Sequence, residues 1–248
     1  MRRFAILTML LLAGTLAFAQ QKQPKFKSKG EQNAFQVIVK ADDLDARIKA
    51  CDDFLTKYAD SELKGSALYF EADAYMLKGD SEKATVYAEQ TLAADPSNLQ
   101  ANVLLGRLYA TSTHVNDLDK EEKLTKTIKY SNDALELLKT VAKPNPTLTD
   151  AEWQKHKDDF AGQCYFSLGI AAVYHNKLDE VKTDFDKTAE LDTDPTDLIR
   201  AGRALLDVKK PDLAIEWFDK AAASPAAPDQ IKKIAAADKA RAQSMIKK

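Results

Sequence analysis

The sequence predicts an all-α fold in which antiparallel helix pairs stack one on the next, and three observations point to it. Helix breakers are scarce: 248 residues contain only 8 Gly and 8 Pro, against usual shares of roughly 7% and 5%. One segment shows helical spacing on both sides of a tight turn, with Leu68, Ala72 and Tyr75 on one side, Gly79-Asp80 between, and Ala84 and Ala88 beyond. Such spacing lines small and apolar side chains along one face of each helix. The pattern then recurs after 34 residues, Ala72 returning as Gly106 and Tyr75 as Tyr109 inside L-L-G-R-L-Y. A period of that length marks a repeat array, in which each unit buries its apolar face only against its neighbours.

The chain opens differently. Arg2 and Arg3 precede an apolar run from Phe4 to Leu16, and Ala17-Phe18-Ala19 stands ahead of Gln20 and Gln21. A basic start, a short apolar run and an A-x-A ending predict a cleavable signal peptide over 1–19, since a spanning helix needs about 20 apolar residues. Residues 20–30 read as a polar linker whose Lys22, Lys25, Lys27 and Lys29 form a solvated tail. The expected product is exported, with the periplasm favoured and full secretion the alternative, and with no stable membrane insertion after cleavage.

From Leu68 to Pro96 the chain resembles the tetratricopeptide repeat (TPR), with Leu68, Ala72, Tyr75, Ala84 and Pro96 at its signature positions. Later copies carry Tyr165, Leu168, Gly169, Phe185 and Ala189, then Leu198, Gly202, Leu205, Ala214, Phe218 and Ala221. A weaker opening copy has Ile48, Cys51, Phe54, Leu55 and Tyr58, with Arg47 where the family places a small residue. The resemblance implies a TPR-type right-handed superhelical solenoid of antiparallel helix pairs over 31–248. Its repeats fall at about 28–61, 65–98, 99–141 with an insertion, 162–194 and 195–227, and a capping helix closes it at 228–248 with Ile231, Ile234, Ala235, Met245 and Ile246 on one face. Gly169 and Gly202 in mid-helix each cost about 1 kcal/mol against Ala, so close helix approach is the expected compensation.

Two stretches depart from the repeat. Thr111 to Lys123 is about nine residues longer than the period of 34 allows, and V-A-K-P-N-P-T-L-T separates that unit from the next. Thr149 with Glu152 three residues on forms a capping box, so the following helix begins well before its repeat, carrying Trp153, His156 and Phe160 on one face. Insertions in repeat proteins fall in loops on one side, often the binding side, which makes 110–160 the most individual region and Trp153 a candidate contact, with packing of its helical stripe on neighbouring helices the alternative.

Little in the sequence suggests chemistry. His114, His156 and His175 lack metal-ligand spacing, and no nucleophile elbow, phosphate loop, dinucleotide fingerprint or C-x-x-C occurs. No enzyme activity, cofactor or metal is expected. Lys plus Arg number 36 and Asp plus Glu 38, a formal charge of −2 that the loss of two leader arginines takes to −4; nucleic acid, which draws clustered basic surface, is not an expected partner. Cys51 and Cys164 read as small buried apolar residues, with an intramolecular disulfide the alternative.

Recognition remains. In the TPR resemblance the first helix of each pair lines a concave groove, which implies partner contacts at Tyr69, Phe70, Asp73, Arg107, Phe166, Ile170, Tyr174, Arg200 and Arg203, with Trp153 added from the insertion. Aromatics and Arg dominate interface energetics, and this set suits an amphipathic helix or an apolar segment with acidic flanks. The family's Lys/Asn clamp for a C-terminal carboxylate is not matched, since its positions hold residues such as Gln32, Gln36, Phe70, Gln100 and Leu104. The expected function is a non-catalytic scaffold or adaptor of the bacterial envelope. The alternatives are a self-assembling structural protein and an accessory subunit of an envelope enzyme.

Overall fold

The computed structural model describes residues 25–145, 147–191 and 194–247; the expected signal peptide and the start of the expected linker lie outside them. Among the described residues there are eleven helices: α1 (Lys29–Lys40), α2 (Leu44–Lys57), α3 (Lys64–Lys78), α4 (Ser81–Ala94), α5 (Leu99–Thr111), α6 (Lys120–Thr140), α7 (Asp150–Tyr174), α8 (Leu178–Leu191), α9 (Pro195–Asp207), α10 (Pro211–Ala223) and α11 (Asp229–Ile246). They form two compact units, one from the chain up to Asn102 with Thr140–Trp153, the other from Val103–Lys139 and from Gln154 onward.

In the first unit, successive helices pack as pairs. Gly65 at the start of α3 lies against Asp95 just beyond α4, while Tyr75 near the end of α3 stacks on Tyr87 in α4 at 5.3 Å. The two helices are therefore antiparallel. Ala72, Ala84 and Ala88 are wholly buried between them, so the small residues of the motif let the backbones approach. Against α3 lie α2 and α1, and Phe35 of α1 meets both Phe54 of α2 and Phe70 of α3 edge-on. Ser28 caps α1, its hydroxyl accepting from the Glu31 amide.

The second unit repeats the device. In α7 and α9, Gly169 and Gly202 face the rings of Phe185 on α8 and Phe218 on α10, and a Cβ at either glycine would overlap its ring. Both rings are wholly buried. The α5–α6 pair carries the same stack as α3–α4: Tyr109 on Tyr130 at 6.1 Å, with Lys126 4.9 Å above Tyr109, as Lys83 lies 4.9 Å above Tyr75. Tyr75 and Tyr109 are 34 positions apart, but Tyr87 and Tyr130 are 43 apart. The nine extra residues are absorbed between them, in the loop 112–119 and in an α6 of 21 residues against 14 for α4, without disturbing the contact. Glu121, Glu122 and Lys123, part of the insertion in the sequence, form the first turn of α6. The Thr149–Glu152 capping box is formed in both directions at the head of α7.

Three inter-helix turns share one geometry. After α3, α7 and α9 the chain passes through Gly79, Asn176 and Lys209 with φ of 81°, 56° and 61°, and the next amide bonds back to Tyr75, Ala172 and Leu205 respectively. Only the first of these positions holds the residue that adopts this conformation without steric cost. Cys51 and Cys164 are buried and free. No helix among the described residues is long and apolar enough to cross a membrane.

Two stability outcomes follow from these contacts. Gly169→Ala is expected to destabilise by roughly 1–3 kcal/mol despite Ala's better helix propensity, lowering the thermal midpoint by circular dichroism, and Phe185→Leu in the same chain should recover part of the loss. Lys209→Gly should raise the midpoint, by up to about 1 kcal/mol of stability, because it relieves a left-handed lysine; a lower midpoint would show that the turn is not strained.

Candidate partner-binding site

In the second unit the first helices of the pairs converge on a buried carboxylate. Asp197 sits in the opening turn of α9 behind Asp194, whose side chain caps that helix by accepting from the Thr196 amide. Asp197 has no exposed surface. Its two oxygens accept from both Nη atoms of Arg107 on α5, at 2.5 Å each, and Oδ1 also accepts from Nη1 of Arg200 at 2.6 Å. Arg107 lies 5.2 Å from the ring centroid of Phe166 on α7, so the planar cation is held between a carboxylate and an aromatic face. Burial pushes the Asp197 carboxyl up, but the two guanidiniums outweigh it and hold the group below the ordinary carboxylate range.

Two arginines on one aspartate leave an excess positive charge. Arg107 is 13% exposed, while Arg200 is 43% exposed, so the surplus is presented on α9 by a side chain whose Nη1 is tied to a rigid anchor. Toward the other end of the same helices, Tyr174 donates to Asp207 at 3.1 Å, and Arg203 pairs with Asp238 of α11 at 2.7 Å. Burial pushes the Tyr174 hydroxyl pKa up, so it stays a donor.

The sequence-derived contacts thus divide by exposure. In the second unit Arg107 and Phe166 meet, Arg107 and Arg200 share Asp197, and Arg203 and Tyr174 each have a partner of their own. Phe166 and Ile170 are core residues, at 0% and 4% exposure. In the first unit Phe70 is equally buried, in the ring cluster with Phe35. Tyr69 is half-buried with its ring 6.4 Å from that of Phe70. Asp73, 9% exposed, faces Arg47 of α2 at 3.7 Å, and burial pushes its carboxyl up to about 6, with Arg47 opposing. Trp153 is 9% exposed. For Phe70, Phe166, Ile170 and Trp153 side-chain packing, rather than an open contact, is what the structure displays.

Asp197, the centre of the cluster, was not among the sequence-derived contacts. Its only local signal was the three-residue spacing to Arg200, which reads equally as an exposed helix pair; the 90-residue reach of Arg107 is a tertiary fact. Arg47 was visible as a departure from the repeat, and Asp73 explains it. Among the described residues no group of three or more His, Cys, Asp or Glu is placed to hold a metal ion.

These helices define an all-helical fold of successive adjacent pairs, consistent with a helical solenoid. A solved thermophilic TPR protein from Thermus thermophilus is similar in fold, with a TM-score of 0.53 at 16% identity, over 84% of this chain and 98% of that one. The assembly chaperone of RpL4 (Acl4) aligns over 87% of this chain and 96% of its own, at 10% identity and a TM-score of 0.38. No protein-family model and no curated protein matches the chain.

Asp197→Ala should leave the nearly buried Arg107 guanidinium without its counter-charge and cost roughly 3–5 kcal/mol, whereas Arg200→Gln, at a solvent-facing position, should cost under about 1 kcal/mol. Denaturant unfolding of the two variants measures both; equal losses would show that Arg200 is part of the buried network rather than its exposed edge.

Proposed function

We propose that this chain is a non-catalytic protein–protein interaction scaffold or adaptor of the bacterial cell envelope, and that it holds a partner segment on the first helices of its pairs. The observation that carries this reading is Arg200, an exposed guanidinium fixed on α9 by a wholly buried aspartate that is already neutralised by Arg107. A cation set in place before binding loses less side-chain freedom when it meets an anion. Arg203 one turn further along α9, and Tyr174 toward the far end of α7, suit an apolar segment with acidic flanks. In the first unit the least buried aromatic of the set is the half-buried Tyr69. The TPR-like fold supports recognition of protein rather than small molecules, because stacked helix pairs offer long exposed faces. The envelope assignment rests on the leader grammar of Arg2, Arg3, Phe4 to Leu16 and Ala17-Phe18-Ala19.

Crosslinking and affinity capture from intact cells tests the reading, comparing the wild type with Arg200→Gln/Arg203→Gln, with Tyr69→Ala, and with a chain lacking 112–119. Loss of one specific partner, by about ten-fold or more, in the arginine variant alone is the expected result. An unchanged partner set with all variants folded would sink the proposed face, and a concentration-dependent oligomer in solution would favour self-assembly instead. Mass spectrometry of the exported protein should find Gln20 at its N-terminus; an intact Met1 in the mature protein would remove the export assignment.

A further inference from the structure

Glu71 occupies the middle of α3 with no exposed surface, and neither of its carboxyl oxygens makes a hydrogen bond. A buried carboxylate in that state is costly, because neither water nor a partner replaces its hydration. The groups around it do not supply a counter-charge. From α2 it is faced by Cys51, itself wholly buried, and by Asp52, a like charge. The one arginine of that helix, Arg47, is turned to Asp73 instead. From α4 come Tyr87, whose nearby hydroxyl favours the charged carboxyl without completing a hydrogen bond, and Lys83, whose ammonium sits over the Tyr75 ring. Contact with α1 is made through the rings of Phe35 and Phe70. Asp95, by contrast, is outside this contact, beside Gly65 at the far end of the pair.

We infer that α2, α3 and α4 form a proton-linked element: the helices pack around Glu71 in its neutral form, and loss of that proton loosens them. The direction follows from the surroundings. Burial, the largest influence, pushes the carboxyl from 4.5 up to about 7, with Asp52 acting the same way and Tyr87 and Lys83 opposing. The packed state thus holds the proton more tightly than the open one. Stability from this group is complete below about pH 4.5 and is lost as pH rises through about 7. The inference concerns packing within the first unit and stands whether or not α3 carries a partner.

Amide hydrogen exchange on the full chain at about pH 5.5 and about pH 8.0, corrected for intrinsic rates, is the test. If opening returns Glu71 to its ordinary value, the opening constant for α3 and α4 should rise about 25-fold across that range from Glu71 alone. Asp73, of the same sign, adds a further factor of about four. Glu71→Gln should keep only the smaller factor. A side-chain carboxyl carbon of Glu71 titrating near 7 in the unaltered protein, apart from the other glutamates, gives the same answer without relying on the variant. Equal pH responses in wild type and Glu71→Gln, or a Glu71 carbon that titrates with the rest, would overturn the inference.

Discussion

Where two helices of a pair cross, a residue with little or no side chain on one must receive the bulk of the other, and this closeness governs the rest of the molecule. Gly169 admits the Phe185 ring, Gly202 admits Phe218, Gly106 admits Ser131, and Ala72, Ala84 and Ala88 keep α3 and α4 together. Each contact excludes water from the centre of a pair and sets the angle at which the next pair can stack. The nine-residue insertion shows how strongly the constraint acts. Chain is added between α5 and α6, yet the tyrosine stack and its lysine form as they do in α3 and α4. Extra length goes into a loop and an extended helix because a changed crossing would open a void where packing is densest.

Close packing also decides what polar groups cost. Asp197 and Glu71 are both wholly buried on first helices, and their surroundings send them in opposite directions. Two guanidiniums surround Asp197, so it remains charged and ties α5 to α9, with part of its neighbours' charge left facing outward. Glu71 has a thiol, a phenol, a second acid and a distracted lysine around it, and its proton becomes part of the packing. One carboxylate thus fixes a guanidinium at the surface, and the other keeps its proton within the packing. The difference lies in the neighbours, since both residues sit at ordinary helical positions in the sequence.

The separation of packing from contact is the same physics seen from the surface. Side chains at groove positions of a first helix also meet the next pair, so an aromatic there is drawn into the core whenever a hollow is available. Phe166 and Ile170 follow that route, and Phe70 joins Phe35. Arginines do not, because their charged heads stay in water or on a carboxylate. Exposure therefore leaves Arg200 and Arg203 as open members of the set, with Tyr174 and Tyr69 half-buried.

What the sequence determined by itself was the periodic part: the all-helical class, the pairing of helices, the capping box at Thr149 and the need for close approach at Gly169 and Gly202. These depend on residues a few positions apart, or on a period of about 34, and local spacing records them directly. Tertiary structure alone decided which carboxylate meets which guanidinium, that Arg47 is answered by Asp73, and that the buried Glu71 meets no guanidinium. Those outcomes depend on side chains that lie far apart in the chain, 90 residues in the case of Arg107 and Asp197. A charged residue on a helix reads the same in sequence whether water or a neighbouring helix stands opposite it, and only the packing of one pair on the next settles which.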